Sequence, residues 1–425
     1  MKAFKIFLIF ILFSSFAFAQ IKFDDYFYNK TLRIDYYHTG NFDTAYYSID
    51  QLREEPYWGG TKTNLTNNYD YGHYKVEVFD SASGKEIYST SYNTLFQEWR
   101  TTDESKQTAK TFSETVTMPY PKNNIVMEFF SRDKNNVFQK KFIYNINPHN
   151  YFISTERHDE FPSYKVLYNG NPSSKVDIVL IPDGYTKDQI DDFKNDCKKF
   201  VDDFFQYSPF KENKDKFNIW AVLAPSEESG SDIPTDHVWK RTLLNTSFYT
   251  FDEERYLMTK DNKTLRNVAA NVPYDEIYIL VNTDKYGGGA IFNFYSCSAS
   301  KNVSSSKIYV HEFGHNFAGL ADEYSEKGSP YQFMYNLKVE PIEPNITTLV
   351  DFSSKWKNMV KPSTPIPTPD NSDYKNIVGA FEGGGYLEKG IYRPMENCIM
   401  RSLSADKFCD VCDSTIQKFI DFYTK

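Results

Sequence analysis

The spacing of hydrophobic residues changes partway along this chain. Between residues 20 and 155, apolar and polar positions alternate in short runs. Lys75-Val76-Glu77-Val78-Phe79-Asp80 puts every second side chain on one face, which is the period of a half-buried strand. Asp80-Ser-Ala-Ser-Gly84 supplies a turn, and Lys85 to Thr90 returns as the next strand. Asn124 to Phe130 and Val137 to Tyr144 repeat this arrangement around a polar turn. The pattern predicts an all-β domain, a β-sandwich, over residues 20–155. After Asn169-Gly-Asn-Pro-Ser-Ser174 the period shifts. Val176-Asp-Ile-Val-Leu-Ile181 is a short apolar strand ending in Pro182-Asp183-Gly184. Thr186 then caps a helix from about Lys187 to Phe205, with Ile190, Phe193, Cys197, Phe200, Val201 and Phe204 along one face. Asn218 to Leu223 and Glu276 to Val281 are further strands. Strands alternating with helices predict an α/β domain over residues 156–425. The prolines at 362, 365, 367 and 369 mark an extended loop within it.

The first nineteen residues read as a secretory leader. Lys2 and Lys5 form a short basic region, Ile6 to Phe13 is purely apolar, and Ala17-Phe18-Ala19 is a small-x-small cleavage site. The expected mature chain begins at Gln20, and its destination is the periplasm, the cell surface or the medium. The net charge is −9, and loss of Lys2 and Lys5 makes it more negative still. Such a chain is a poor partner for nucleic acid or an anionic membrane surface. No later stretch is long and apolar enough to cross a bilayer, so membrane insertion is not expected.

The decisive chemistry lies in His311-Glu312-Phe313-Gly314-His315. Residues four apart share a helix face, so the two imidazoles can meet one cation. Glu312, one position on, can reach a water beside that cation as general base without ligating the metal. The context predicts a helix. Asn302 or Ser304 can cap its start, Ile308, Phe313 and Phe317 can pack, and Gly319 suits its end. A catalytic zinc takes a third protein ligand. Gly319 lets the chain turn, and Asp322 is the first choice, Glu323 the second, with a distant residue as the remaining alternative. His38, His73 and His149 are scattered and read as surface or internally satisfied histidines.

The extended segment from His311 through Asp322 to Tyr324 resembles the signature of the bacterial IgA peptidase family of zinc metalloendopeptidases. Ile181-Pro-Asp-Gly-Tyr185, Glu382-Gly-Gly-Gly-Tyr386 and the run from Gly390 through Asn397-Cys-Ile-Met-Arg401 resemble it too. The resemblance implies a metzincin-like α/β zinc peptidase domain, preceded by the all-β domain, that hydrolyses protein or peptide substrates with one catalytic zinc ion. It also implies a methionine turn beneath the metal, for which Met400 is the match and Met395 the weaker one. In the usual metzincin pattern the glycine and the third ligand would fall at positions 318 and 321. Both are alanine here, and Gly319 and Asp322 come one residue later. The segment Tyr286-Gly-Gly-Gly-Ala-Ile291 is either an edge strand that pairs with extended substrate or a hairpin. Tyr324, Tyr392 and Arg393 are candidate donors to the developing oxyanion.

Five cysteines remain, with Cys398, Cys409 and Cys412 close in sequence. In an exported chain the expectation is a disulfide among these three, with free thiols or a second metal as the alternatives. Cys409-Asp-Val-Cys412 has metal-ligand spacing, but it is one such pair where structural zinc sites usually have two. Two rival functions stay open: a zinc amidase acting on cell-wall or glycan material, and a non-catalytic adhesin stabilised by zinc. An intact Glu312 counts against the second, because a structural site needs no base.

Overall fold

Alternation in the first part of the chain produces two antiparallel sheets. The computed structural model describes residues 20–67, 69–327 and 334–425, so the predicted leader lies outside the described residues. After the one-turn helix α1 (Phe23–Tyr26) come β1 (Phe27–Gly40), β2 (Ala45–Glu55), β3 (Tyr74–Asp80), β4 (Glu86–Tyr92), the short helix α2 (Leu95–Trp99), β5 (Lys110–Pro121), β6 (Ile125–Arg132) and β7 (Phe138–Ile146). The sheets have the orders β2-β1-β5 and β4-β3-β6-β7. Leu32, Ile34, Val116 and Met118 from the first sheet share one core with Val76, Val78, Met127 and Phe129 from the second. The two hairpins expected from the alternation are the β3–β4 and β6–β7 pairs.

The rest of the chain builds a mixed six-stranded sheet in the order β12-β13-β11-β9-β10-β8. Its strands are β8 (Ser163–Leu167), β9 (Val176–Asp183), β10 (Phe217–Val222), β11 (Glu276–Val281), β12 (Gly288–Ile291) and β13 (Tyr295–Ala299). The central strands β10, β9, β11 and β13 run parallel, while β8 and β12 are antiparallel edges. Every residue of β9 and β11 is buried, in keeping with the apolar stretches Ile178 to Ile181 and Ile277 to Val281. Alternate residues face opposite ways. Leu180, Tyr278 and Leu280 pack with the helices α3 (Ile190–Phe204), α5 (Ser305–Ala318) and α6 (Asp410–Thr424). On the other face, Val179, Ile181, Ile277 and Ile279 pack with α4 (Asn262–Ala269). A 3-10 turn at Lys187–Gln189 leads into α3, and Thr186 and Gln189 form a capping box there. A small hairpin, β14 (Phe381–Gly384) and β15 (Leu387–Arg393), precedes α6.

The N-terminal unit is fastened to this sheet. Leu95, Phe96 and Trp99 of α2 belong to the core on the α4 face. Arg33, 1 % exposed, forms a bidentate pair with Asp35 at 2.8 and 2.9 Å and donates to Asn267 Oδ1 at 2.8 Å. Removing one member of a buried pair leaves the other charge without compensation. Arg33→Met is therefore expected to cost about 3–5 kcal/mol of stability, read as a lower urea midpoint with an unchanged slope. A midpoint within error of the wild type would show that the pair is dispensable.

Candidate metal centre and cleft

Helix α5 is buried on nearly every side, with Ile308, Tyr309, Val310, Phe313 and Phe317 all in the core. A narrow strip, Ile308, His311, Glu312 and His315, opens into a cleft of about 490 Å³. The helix ends at Gly319 in the left-handed conformation, φ +61°. That turn sends the chain back under the helix, so Asp322 returns to the two histidines.

Three ligand atoms converge. His311 Nε2 and His315 Nε2 are 3.2 Å apart. Asp322 Oδ1 lies 3.2 Å from the first and 3.5 Å from the second. Ligand atoms bound about 2.0–2.1 Å from one zinc in a tetrahedron stand about 3.3–3.4 Å apart, so the residues fit that ion. The ring orientation agrees. His311 Nδ1 donates to the Ile399 carbonyl at 3.0 Å, and His315 Nδ1 donates to that of Leu320 at 2.6 Å. A carbonyl only accepts, so each neutral ring carries its hydrogen on Nδ1 and turns a lone pair on Nε2 toward the same point. Asp322 Oδ1 is buried without a hydrogen bond. Its other oxygen accepts from the Tyr386 hydroxyl at 2.5 Å. Burial works against ionising Asp322, but with no ion bound the two imidazoles in their protonated form hold its carboxyl well below the usual range.

Glu312 borders the same point. Burial pushes its carboxyl up, while the two imidazoles pull it down. Its approach to the sheet depends on Gly288, where a Cβ would lie only 2.9 Å from Glu312 Oε1. Gly288 is the first residue of edge strand β12. The strand's outer rim is engaged there, since Gly288 donates to the Arg255 carbonyl and accepts from Leu257 N–H.

The remaining expected residues fall into two groups. Tyr324 lines the cleft and takes a 2.9 Å hydrogen bond from Arg255 Nη2. Met400 is buried below α5, its sulfur 3.0 Å from where a Cβ on Gly314 would lie, so a glycine there lets it pack close to the helix. Glu323 points away from the histidines, toward Cys412 and Cys409. Tyr392 and Arg393 do not line the cleft. Tyr392 pairs through its backbone with Thr347 on the far side of the hairpin, and Arg393 turns inward to the Glu382 and Gly383 carbonyls. No disulfide forms among Cys398, Cys409 and Cys412, and all five cysteines are free thiols. Cys398 and Cys412 have sulfurs 3.8 Å apart with Cys409 beside them, because three side chains meet here rather than two. His38 is buried, stacked on Tyr47 and paired through Nδ1 with Glu114, while its Nε2 has no hydrogen-bond partner among the described residues.

Sequence reasoning missed four cleft residues. Tyr386 steadies Asp322, and Arg255 holds Tyr324. Tyr256 donates to Glu98, which α2 of the N-terminal unit brings to the cleft and burial pushes up to about 7.

Two imidazoles and a carboxylate around one point, with a further carboxylate alongside, are the kind of donor set that metal-dependent hydrolases use to hold their ion. The chain belongs to the IgA Peptidase M64 family, whose model matches residues 165–376 and 370–420, and residues 22–143 match the Peptidase M64 N-terminus. It is accordingly a peptidase acting on protein or peptide substrates. No curated protein matches the chain. Among the described residues no helix is long and apolar enough to cross a membrane.

Proposed function

We propose that this peptidase is an exported, zinc-dependent endopeptidase of metzincin-like build, with a β-sandwich domain over residues 20–155 and a catalytic domain over 156–425. The observation that carries the reading is the meeting of His311, His315 and Asp322 within 3.5 Å of one another beside Glu312. In this reading those three residues hold the zinc and Met400 floors the site. Zinc bound there would acidify a water and polarise the scissile carbonyl. Glu312 takes a proton from the attacking water at its carboxylate and returns it to the leaving amine. Tyr324, oriented by Arg255, donates to the oxyanion. The family's name does not make immunoglobulin A the substrate. Export rests on the leader pattern of residues 1–19.

The test compares denatured casein with peptidoglycan fragments. Casein is expected to be cut internally, cleavage to stop after chelation, and added zinc to restore it. Release of cell-wall fragments with casein left intact would replace the endopeptidase with an amidase.

A further inference from the structure

A second group of ligating side chains lies behind the cleft and takes no part in the proposed mechanism. Glu323, Cys398, Cys409 and Cys412 are all fully buried, and their ligand atoms lie within 4.8 Å of one another. Cys412 Sγ is 3.0 Å and Cys409 Sγ 3.7 Å from Glu323 Oε1. Glu323 Oε2 is buried with no hydrogen-bond partner. A carboxylate enclosed with three thiols and incompletely bonded is a costly arrangement unless a cation belongs among them.

We propose that Glu323, Cys398, Cys409 and Cys412 bind a second, structural metal ion of the zinc class. Thiolates bonded to zinc at about 2.3 Å in a tetrahedron stand about 3.8 Å apart, and Cys398 and Cys412 stand at 3.8 Å. The backbone supports thiolates as such sites do. Cys409 N–H points to Cys398 Sγ at 3.2 Å, and Cys412 N–H to Cys409 Sγ at 3.5 Å. Cys409 caps α6, so the positive end of a fifteen-residue helix faces the sulfurs. Asn345 Nδ2 donates to Glu323 Oε1 at 2.9 Å and fixes that ligand. On binding, each thiol gives its proton to solvent, and three thiolates with one carboxylate meet the dication. Three sulfurs with one oxygen and no open position favour zinc over magnesium or calcium.

The location gives the ion a purpose. Glu323 directly follows Asp322, and its N–H donates to the Met400 carbonyl at 2.8 Å. Cys398 directly precedes Ile399, whose carbonyl orients His311. One ion would therefore pin the two segments that set the third ligand and one imidazole of the catalytic site.

The experiment counts metal in the full mature chain by elemental analysis. Two zinc ions per chain are expected in the wild type and one in His311→Ala/His315→Ala, which keeps all four of these ligands. Cobalt loaded into that double variant should give the near-ultraviolet charge-transfer absorption of thiolate ligation. Glu323→Gln should lose the remaining zinc to a chelator at least about tenfold faster. A metal-free double variant without the cobalt band overturns the proposal. So does a disulfide between any two of the three cysteines, found by mass spectrometry without reduction. A wild-type zinc that stays when the histidines go supports this site even if the catalytic assignment fails.

Discussion

Glu312→Gln should keep its metal and lose hydrolysis. The amide has nearly the shape of the carboxylate, so the gap beside Gly288 is still filled and α5 is undisturbed. What disappears is the ability to accept a proton from water. General-base catalysis contributes about 10²–10⁴-fold, and kcat/KM on an internally quenched peptide should fall by that much. Metal content and melting temperature should match the wild type, which separates a lost base from a lost site. Near-normal turnover in the metal-loaded variant would move the proton transfer to another carboxylate. Glu98, Glu253 and Glu343 are the other glutamates lining the cleft.

Much of this site was legible because its parts are local. The pair His311 and His315, the base between them and the glycine that ends their helix lie within nine residues, and helix periodicity alone puts them together. Strands β9 and β11 were legible because burial on both faces leaves apolar stretches, Ile178 to Ile181 and Ile277 to Val281, with Asp177, Asp183 and Glu276 near their ends. Tyr386, Arg255 and Glu98 come from a hairpin turn, a loop and the other unit, and no period links them. Tyr386 is held at φ +67°, a conformation unfavourable for a tyrosine, by a turn that also puts Gly383 at φ +98° and Gly385 at φ +54°. Those glycines were visible in the sequence, but the destination of the hydroxyl was not. Tyr392 and Arg393 misled for the same reason: their nearness to the motif was inferred, and the β14–β15 register turns them elsewhere. The cysteines were read as a pair with one left over. Their fourth partner, Glu323, is distant in the chain and carries no spacing signal.

Asp322→Ala should strip the catalytic ion, whereas Glu323→Ala should leave it. The two residues are neighbours, yet they serve opposite directions. Asp322 Oδ1 stands 3.2 Å from His311 Nε2 and 3.5 Å from His315 Nε2, while Glu323 turns to Cys412 at 3.0 Å. This divergence follows from extended backbone, in which successive side chains alternate. Alanine at 322 removes one of three ligands and the carboxylate that accepts from the Tyr386 hydroxyl. Loss of an outer partner alone costs about 10–100-fold in metal affinity, so Tyr386→Phe should fall in that range and Asp322→Ala beyond it. The measurement is competition against a chelator of known affinity, following the ion whose removal abolishes peptide cleavage. The order should be Asp322→Ala weakest, Tyr386→Phe intermediate and Glu323→Ala nearest the wild type. Wild-type affinity in Asp322→Ala would place the third ligand elsewhere. A greater loss in Glu323→Ala than in Asp322→Ala would exchange the roles of the two carboxylates.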